Sequence, residues 1–174
     1  MKQAKQETGK QILEAELTDD FVIIKDKGLI LLLRNIGAAV EEGETAKIPL
    51  IEAAYFAEKR KLPFTKEEII ERAKKSDPLA EQKSIVIEHF RGKGYITRVS
   101  LDSTEFLRLH RKGFRPGEDR TYYLLKVVPE DWTANLKDMS DALDFAGKMR
   151  KELIIAYVRG KRPFFIKLGR INFE

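Results

Sequence analysis

The chain has 174 residues, no cysteine, and His89 and His110 as its only imidazoles. Without a Cys/His set at zinc spacing, neither a metal nor a cofactor is expected. His89 falls on the apolar side of a helical repeat with Val86 and Phe90, where a packed structural histidine is the simplest role. His110 differs, because it ends an apolar strand pattern and opens a basic loop, Arg111-Lys-Gly-Phe-Arg-Pro-Gly-Glu-Asp-Arg120. Loops of this kind often present functional side chains. An imidazole there can act as a base near neutral pH, and the cations around it can hold an anion. Lys151, between a helical stripe and an apolar strand, also fits a plain role as a helix-end cation. Arg120 can equally pair with Glu118 or Asp119. Gly92-Lys-Gly94 precedes a strand rather than opening a helix, so it is not a phosphate loop.

The elements that must position these residues follow from periodicity. Lys10 to Glu16 is a short mixed segment, and Asp20–Ile24 with Leu29–Leu33 predicts a hairpin around Asp26-Lys27-Gly28. A helix opens at Ile48-Pro49-Leu50, carries Ile51, Ala54, Tyr55 and Ala57 on one face, and ends before Leu62-Pro63. Thr65 with Glu68 forms a capping box for a second short helix bearing Ile69, Ile70 and Ala73. Lys74-Lys-Ser-Asp-Pro78 is the best boundary, dividing the chain into domains 1–78 and 79–174. Beyond it, Leu79, Val86 and Phe90 recur at helical spacing up to Gly92. Strands follow at Tyr95–Val99, Phe106–Leu109 and Thr121–Val128. Asp138 caps a helix with the stripe Met139, Ala142, Leu143, Ala146 and Met149, and Glu152–Val158 is a buried strand. Arg159-Gly-Lys-Arg-Pro163 turns the chain into the closing strand Phe164–Leu168. The expected fold class is α+β: a helix/hairpin N-terminal lobe and a C-terminal domain whose central mixed sheet is flanked by helices.

Charge is distributed unevenly. Residues 1–80 hold 14 Lys+Arg against 15 Asp+Glu, and residues 81–174 hold 19 against 13, so the second half carries the whole excess of the +5 chain. Such a basic lobe fits a polyanion, most simply nucleic acid. Zero cysteine, three Asn, four Gln and 35% charged residues match the composition of hyperthermophile proteins. The apolar run Gly28–Leu33 stops at Arg34, far short of the roughly 18–20 residues that cross a bilayer. The charged N-terminus is not followed by a signal core, so a cytoplasmic protein with no membrane partner is expected.

Several segments in order resemble one family. Gly94-Tyr-Ile96, the strand ending at His110, Arg120-Thr-Tyr-Tyr-Leu-Leu-Lys-Val-Val-Pro-Glu-Asp131, and Met149-Arg-Lys-Glu-Leu-Ile-Ile-Ala-Tyr-Val158 look like the C-terminal domain of archaeal tRNA-splicing endonucleases. Ile48-Pro-Leu-Ile-Glu-Ala-Ala-Tyr55 and Lys61-Leu62 are similar to a helix of the family's N-terminal lobe. The resemblance implies a nuclease-like fold and intron excision from precursor tRNA. In that reaction a ribose 2′-OH attacks the adjacent phosphate, leaving a 2′,3′-cyclic phosphate and a 5′-OH. The family uses Tyr, His and Lys as base, acid and cation, and the matching positions here are His110, Arg120 and Lys151. Only the lysine is kept. An arginine cannot give up a proton near neutrality, so the resemblance implies a non-catalytic structural subunit that joins a catalytic endonuclease subunit in an α2β2 heterotetramer. The alternatives are an active endoribonuclease with a rearranged His110/Lys151 site and a stand-alone RNA-binding protein.

On this reading Arg108, Arg111, Lys112, Arg115 and Arg120 contact tRNA phosphates. In the family the closing strand pairs between subunits and the preceding turn docks on an opposing subunit. The corresponding partner contacts are Arg159, Lys161, Arg162, Phe164, Phe165 and Ile166. The two phenylalanines must face opposite ways, one into the domain and one into an interface. The turn is basic where the family's is commonly acidic.

Overall fold

The computed structural model describes residues 14–38, 40–59, 61–99, 105–113, 121–171 and 173. Ala15–Leu17 (β1) and Phe21–Ile24 (β2) pair antiparallel across a turn in which the Thr18 hydroxyl donates to Phe21 O at 2.8 Å. The hairpin expected after β2 does not form, because residues Lys27–Asn35 are a helix (α1). Asp26 decides this: its carboxylate accepts from Leu29 N at 2.7 Å and caps the first turn. Leu29 and Leu33, one helical turn apart, then point inward while Leu31 and Leu32 stay exposed. Leucine, which is not branched at Cβ, favours the helix. The partner of β2 is instead Thr45–Pro49 (β4), which also pairs with Val40–Glu42 (β3), in the order β1-β2-β4-β3.

Leu50–Glu58 (α2) starts at Pro49 as expected, yet it is buried almost all round rather than along one stripe. Lys66–Ala73 (α3) begins with the predicted capping box, Thr65 N donating to Glu68 Oε2 at 2.8 Å and Glu68 N to Thr65 Oγ1 at 3.2 Å.

The second half opens with Ala80–Gly92 (α4) and builds a sheet from Thr97–Val99 (β5), Phe106–His110 (β6), Thr121–Val128 (β7), Glu152–Arg159 (β8) and Arg162–Leu168 (β9), in that spatial order. All neighbours are antiparallel except β7 and β8. That parallel pair requires a crossover, which Leu136–Lys148 (α5) supplies. Asn135, not Asp138, caps α5: Asp138 N donates to Asn135 Oδ1 at 2.9 Å. Tyr95 and Ile96 precede β5 rather than belonging to it, since Tyr95 N donates to Phe90 O to close α4.

The expected α+β architecture with a mixed sheet between helices is therefore present, with five helices and two sheets among the described residues. Val86 and Ile87 of α4 pack with Leu107, Leu109, Leu125 and Val127 on one face of the second sheet. Ala142 and Ala146 of α5 pack with Phe106, Leu124 and Leu153 on the other. The α4-side cluster continues without a break into Phe56, Ile69, Leu33 and Val22 of the first half. No helix among the described residues is long and apolar enough to cross a membrane.

A buried ionic cluster ties these parts together. Glu52 of α2, 1% exposed, accepts from Val99 N at 2.7 Å and lies 3.6 Å from the Arg91 guanidinium. Arg91 also donates to Ile36 O, Gly37 O and Thr97 O at 3.4, 3.4 and 3.1 Å. Burial pushes the Glu52 carboxyl above the usual carboxylate range, against the pull of Arg98, Arg91 and the Val99 N–H.

Candidate functional site

Three strand ends meet at one end of the second sheet. His110 closes β6, Thr121 opens β7, and Lys151 directly precedes β8. His110 and Thr121 are paired across the ladder, and the register slips between Leu109 and His110 so that Tyr122 is left over. Such a bulge re-aims the side chains beside it. Lys151 Nζ donates to Thr121 O at 3.2 Å, which places the lysine at the same point.

The backbone of Lys151 is fixed by the end of α5. Arg150 N donates to Gly147 O and Lys151 N to Ala146 O, both at 2.9 Å, with Arg150 at φ 55°. This is a Schellman closure with arginine at the position glycine usually takes. A left-handed arginine costs roughly 1–2 kcal/mol, and the closure sets Lys151 at the mouth of the parallel pair.

Of the other predicted residues, His110 is 4% exposed, so the imidazole is buried at the strand end instead of standing on the loop. Arg108 is half-buried within β6, opposite Arg98 and Leu124. Arg111 and Lys112 are exposed. The Arg111 guanidinium stacks 3.6 Å from the centre of the Tyr122 ring, and Lys112 Nζ lies 5.1 Å from that of Tyr95. Arg115 and Arg120 fall outside the described residues, although Arg120 is joined directly to Thr121. His89 packs against Phe90 and Phe165 as a structural ring, and burial beside Lys93 lowers its pKa.

At the other end of the sheet, β8 and β9 are joined by the two-residue turn Gly160-Lys161, both left-handed at φ 52° and 64°. That is the geometry of a type I′ hairpin. Arg159 is ion-paired to Glu130, while Lys161 and Arg162 are exposed. Phe165 points inward, its ring 4.8 Å from Phe90. Phe164 stacks on Tyr157 at 5.2 Å and is 37% exposed, and Ile166 beside it is 52% exposed. β9 is the terminal strand of its sheet.

Residues 80–164, from the start of α4 into β9, match the family model of the tRNA intron endonuclease, catalytic C-terminal domain. Similarity to tRNA-splicing endonucleases extends beyond these residues. The chain is 28% identical over 154 residues to the enzyme of Methanothermobacter thermautotrophicus, covering 84% of this chain and 89% of the relative. It is 28% identical over 159 residues to that of Pyrococcus abyssi, covering 86% and 90%, and 29% identical over 118 residues to that of Thermococcus onnurineus, covering 64% and 67%.

The same sheet end carries Tyr122, Tyr95 and Thr121, which the sequence shows only as strand-forming types within the segments that carry the resemblance. A basic loop flanked by tyrosines was the available signal, since cations and aromatic rings interleave in nucleic-acid sites.

Proposed function

We propose that this chain is the non-catalytic structural subunit of a tRNA-splicing endonuclease. It assembles with a catalytic endonuclease subunit as an α2β2 heterotetramer, binds precursor tRNA and works in the cytoplasm, with residues 1–78 and 79–174 as its two domains. The observation that carries this reading is the chemistry at one point of the fold. His110 and Lys151 converge on Thr121, and the residue bonded to Thr121 on its other side is Arg120. Excision requires a base for the 2′-OH, an acid that protonates the leaving 5′-oxygen, and a cation beside the phosphoryl oxygens. Lys151 can be that cation. Arg120, the residue that the resemblance matches to the acid, holds its proton too tightly to give it.

The second reading, an active enzyme using His110 and Lys151, is favoured by the same convergence. One experiment separates them: intron-containing precursor tRNA is incubated with the purified chain and with the chain co-expressed with a family member carrying Tyr, His and Lys. Cleavage is expected only from the co-expressed complex. Cleavage by the chain alone, abolished by His110→Ala, would overturn the structural-subunit reading.

The exposure of Arg111 and Lys112 supports phosphate contact by both, and Arg115 and Arg120 belong to the same basic run of sequence. Replacing Arg111 and Lys112 by Ala should lower the slope of log affinity against log salt by about one for each phosphate that is no longer neutralised. An unchanged slope in filter-binding titrations removes both from the RNA surface.

For assembly, the terminal strand β9 with outward Phe164 and Ile166 supports strand pairing with the catalytic subunit. The exposed Lys161 and Arg162 support docking of the turn into an acidic pocket of that subunit. Charge reversal, Lys161→Glu with Arg162→Glu, should split the complex in size-exclusion chromatography. An intact complex would assign the turn to RNA instead.

A further inference from the structure

The geometry points to a pocket for one unstacked RNA nucleotide between the end of α2 and the α4–β5 connection, formed by Tyr55, Lys59, Lys61, Arg91 and Tyr95. This inference rests on the RNA-binding reading above and adds a contact in the first half of the chain. The cavity measures about 510 Å³, within the roughly 300–1,000 Å³ typical of small-ligand sites. Its walls are the rings of Tyr55 and Tyr95, and Ile36 and Ile96 give it an apolar lining.

Cations surround those rings. Lys59 Nζ lies 5.8 Å from the Tyr55 ring centre, and the Arg91 guanidinium lies 4.9 Å from that of Phe56 and 5.8 Å from that of Tyr55. Lys112, the second residue of the basic loop, reaches the Tyr95 ring at 5.1 Å. No carboxylate is among the described lining residues; Glu52 lies deeper, against Arg91. A neutral flat ring with an attached phosphate satisfies both features, the base stacking on tyrosine and the phosphate meeting Lys59 and Lys61. Lys112 lies over the Tyr95 ring and is two residues from His110, so a single strand leaving that strand end can run toward the pocket.

The test uses the full chain and a short single-stranded oligoribonucleotide carrying one 2-aminopurine, whose fluorescence is quenched on stacking. Tyr55→Leu and Tyr95→Leu keep apolar volume and remove the π face. Each should weaken binding about tenfold and relieve the quenching, whereas Tyr→Phe at either site should preserve both. Tyr55 packs partly against the core, so Lys59→Glu, at an exposed position, gives a reading independent of folding: binding should weaken and the salt slope should fall. If the unaltered chain binds and quenches and all of these variants match it, the pocket is overturned while the RNA-binding reading stands. If the unaltered chain does not bind the RNA, both are overturned.

Discussion

The double variant His110→Tyr, Arg120→His is expected to turn the chain into a nuclease that cleaves precursor tRNA without a catalytic partner. The cation is already in place, since Lys151 is held at the sheet end by the closure of α5 and bonds Thr121 O at 3.2 Å. On the proposed reading the missing part is an acid that can release a proton. An imidazole, with an ordinary pKa near 6.5, supplies one where a guanidinium, protonated throughout the neutral range, cannot. Positioned acid–base groups contribute roughly 10²–10⁴-fold each, so Arg120→His alone should give a measurable fraction of the gain and the tyrosine the remainder. Single-turnover cleavage with analysis of the product ends reads this directly. The products should carry 2′,3′-cyclic phosphate and 5′-OH, and Lys151→Ala on the same background should abolish them. If both restored side chains give no cleavage, residue 120 does not sit where the leaving oxygen is, and the ground for reading this chain as a depleted active site is lost.

The second large effect is on stability. Glu52→Ala is expected to cost about 3–5 kcal/mol, because it strands the buried Arg91 guanidinium and removes the acceptor of Val99 N–H. Glu52→Gln keeps an oxygen for Val99 and should cost less, about 1–3 kcal/mol. Arg91→Met removes the donor to three carbonyls as well as the partner of Glu52, and a double-mutant cycle should show a coupling of about 0.5–3 kcal/mol. The pH dependence has a definite sign. Burial raises the folded-state pKa of Glu52, so folding takes up a proton between the ordinary carboxylate pKa and the raised one. Its contribution therefore declines as pH rises through that window, and Glu52→Gln should lack this decline in denaturant titrations. Equal slopes in both proteins would show that Glu52 titrates alike in the folded and unfolded chain.

Much of this architecture was legible where local chemistry and tertiary packing agree. The Thr65–Glu68 box, the branched and aromatic run of β7 and the stripe of α5 each specify one outcome. The failures occur where a long-range partner decides. Asp26-Lys27-Gly28 is an acceptable turn and also an acceptable helix start, and the antiparallel partner that β2 found in β4 left Leu29–Leu33 free to be a helix. The strand β3, Val40-Glu41-Glu42, is exposed throughout and shows no alternation, and the alternation of β4, Ala46 and Ile48 inward, spans only five residues and ends at a proline. At the candidate site, the convergence of His110, Thr121 and Lys151 needed the parallel pairing of β7 and β8, which spans α5 and is invisible to local pattern. The tyrosines around the basic loop read as strand formers, because sequence alone shows neither what stacks on a ring nor what stands beside it.

β9 has a consequence for how the cell must supply this protein. A terminal strand with Phe164 and Ile166 outward is a template for any chain that can pair with it. Pro163, which has no N–H, and Lys167, paired to Glu152 at 2.7 Å, restrain such pairing without abolishing it. If the proposed companion subunit covers this edge, copies made in excess of it would associate with one another or be degraded. The proposed assembly would then require the two chains to be matched in dosage, with a mismatch felt first as aggregation of this chain.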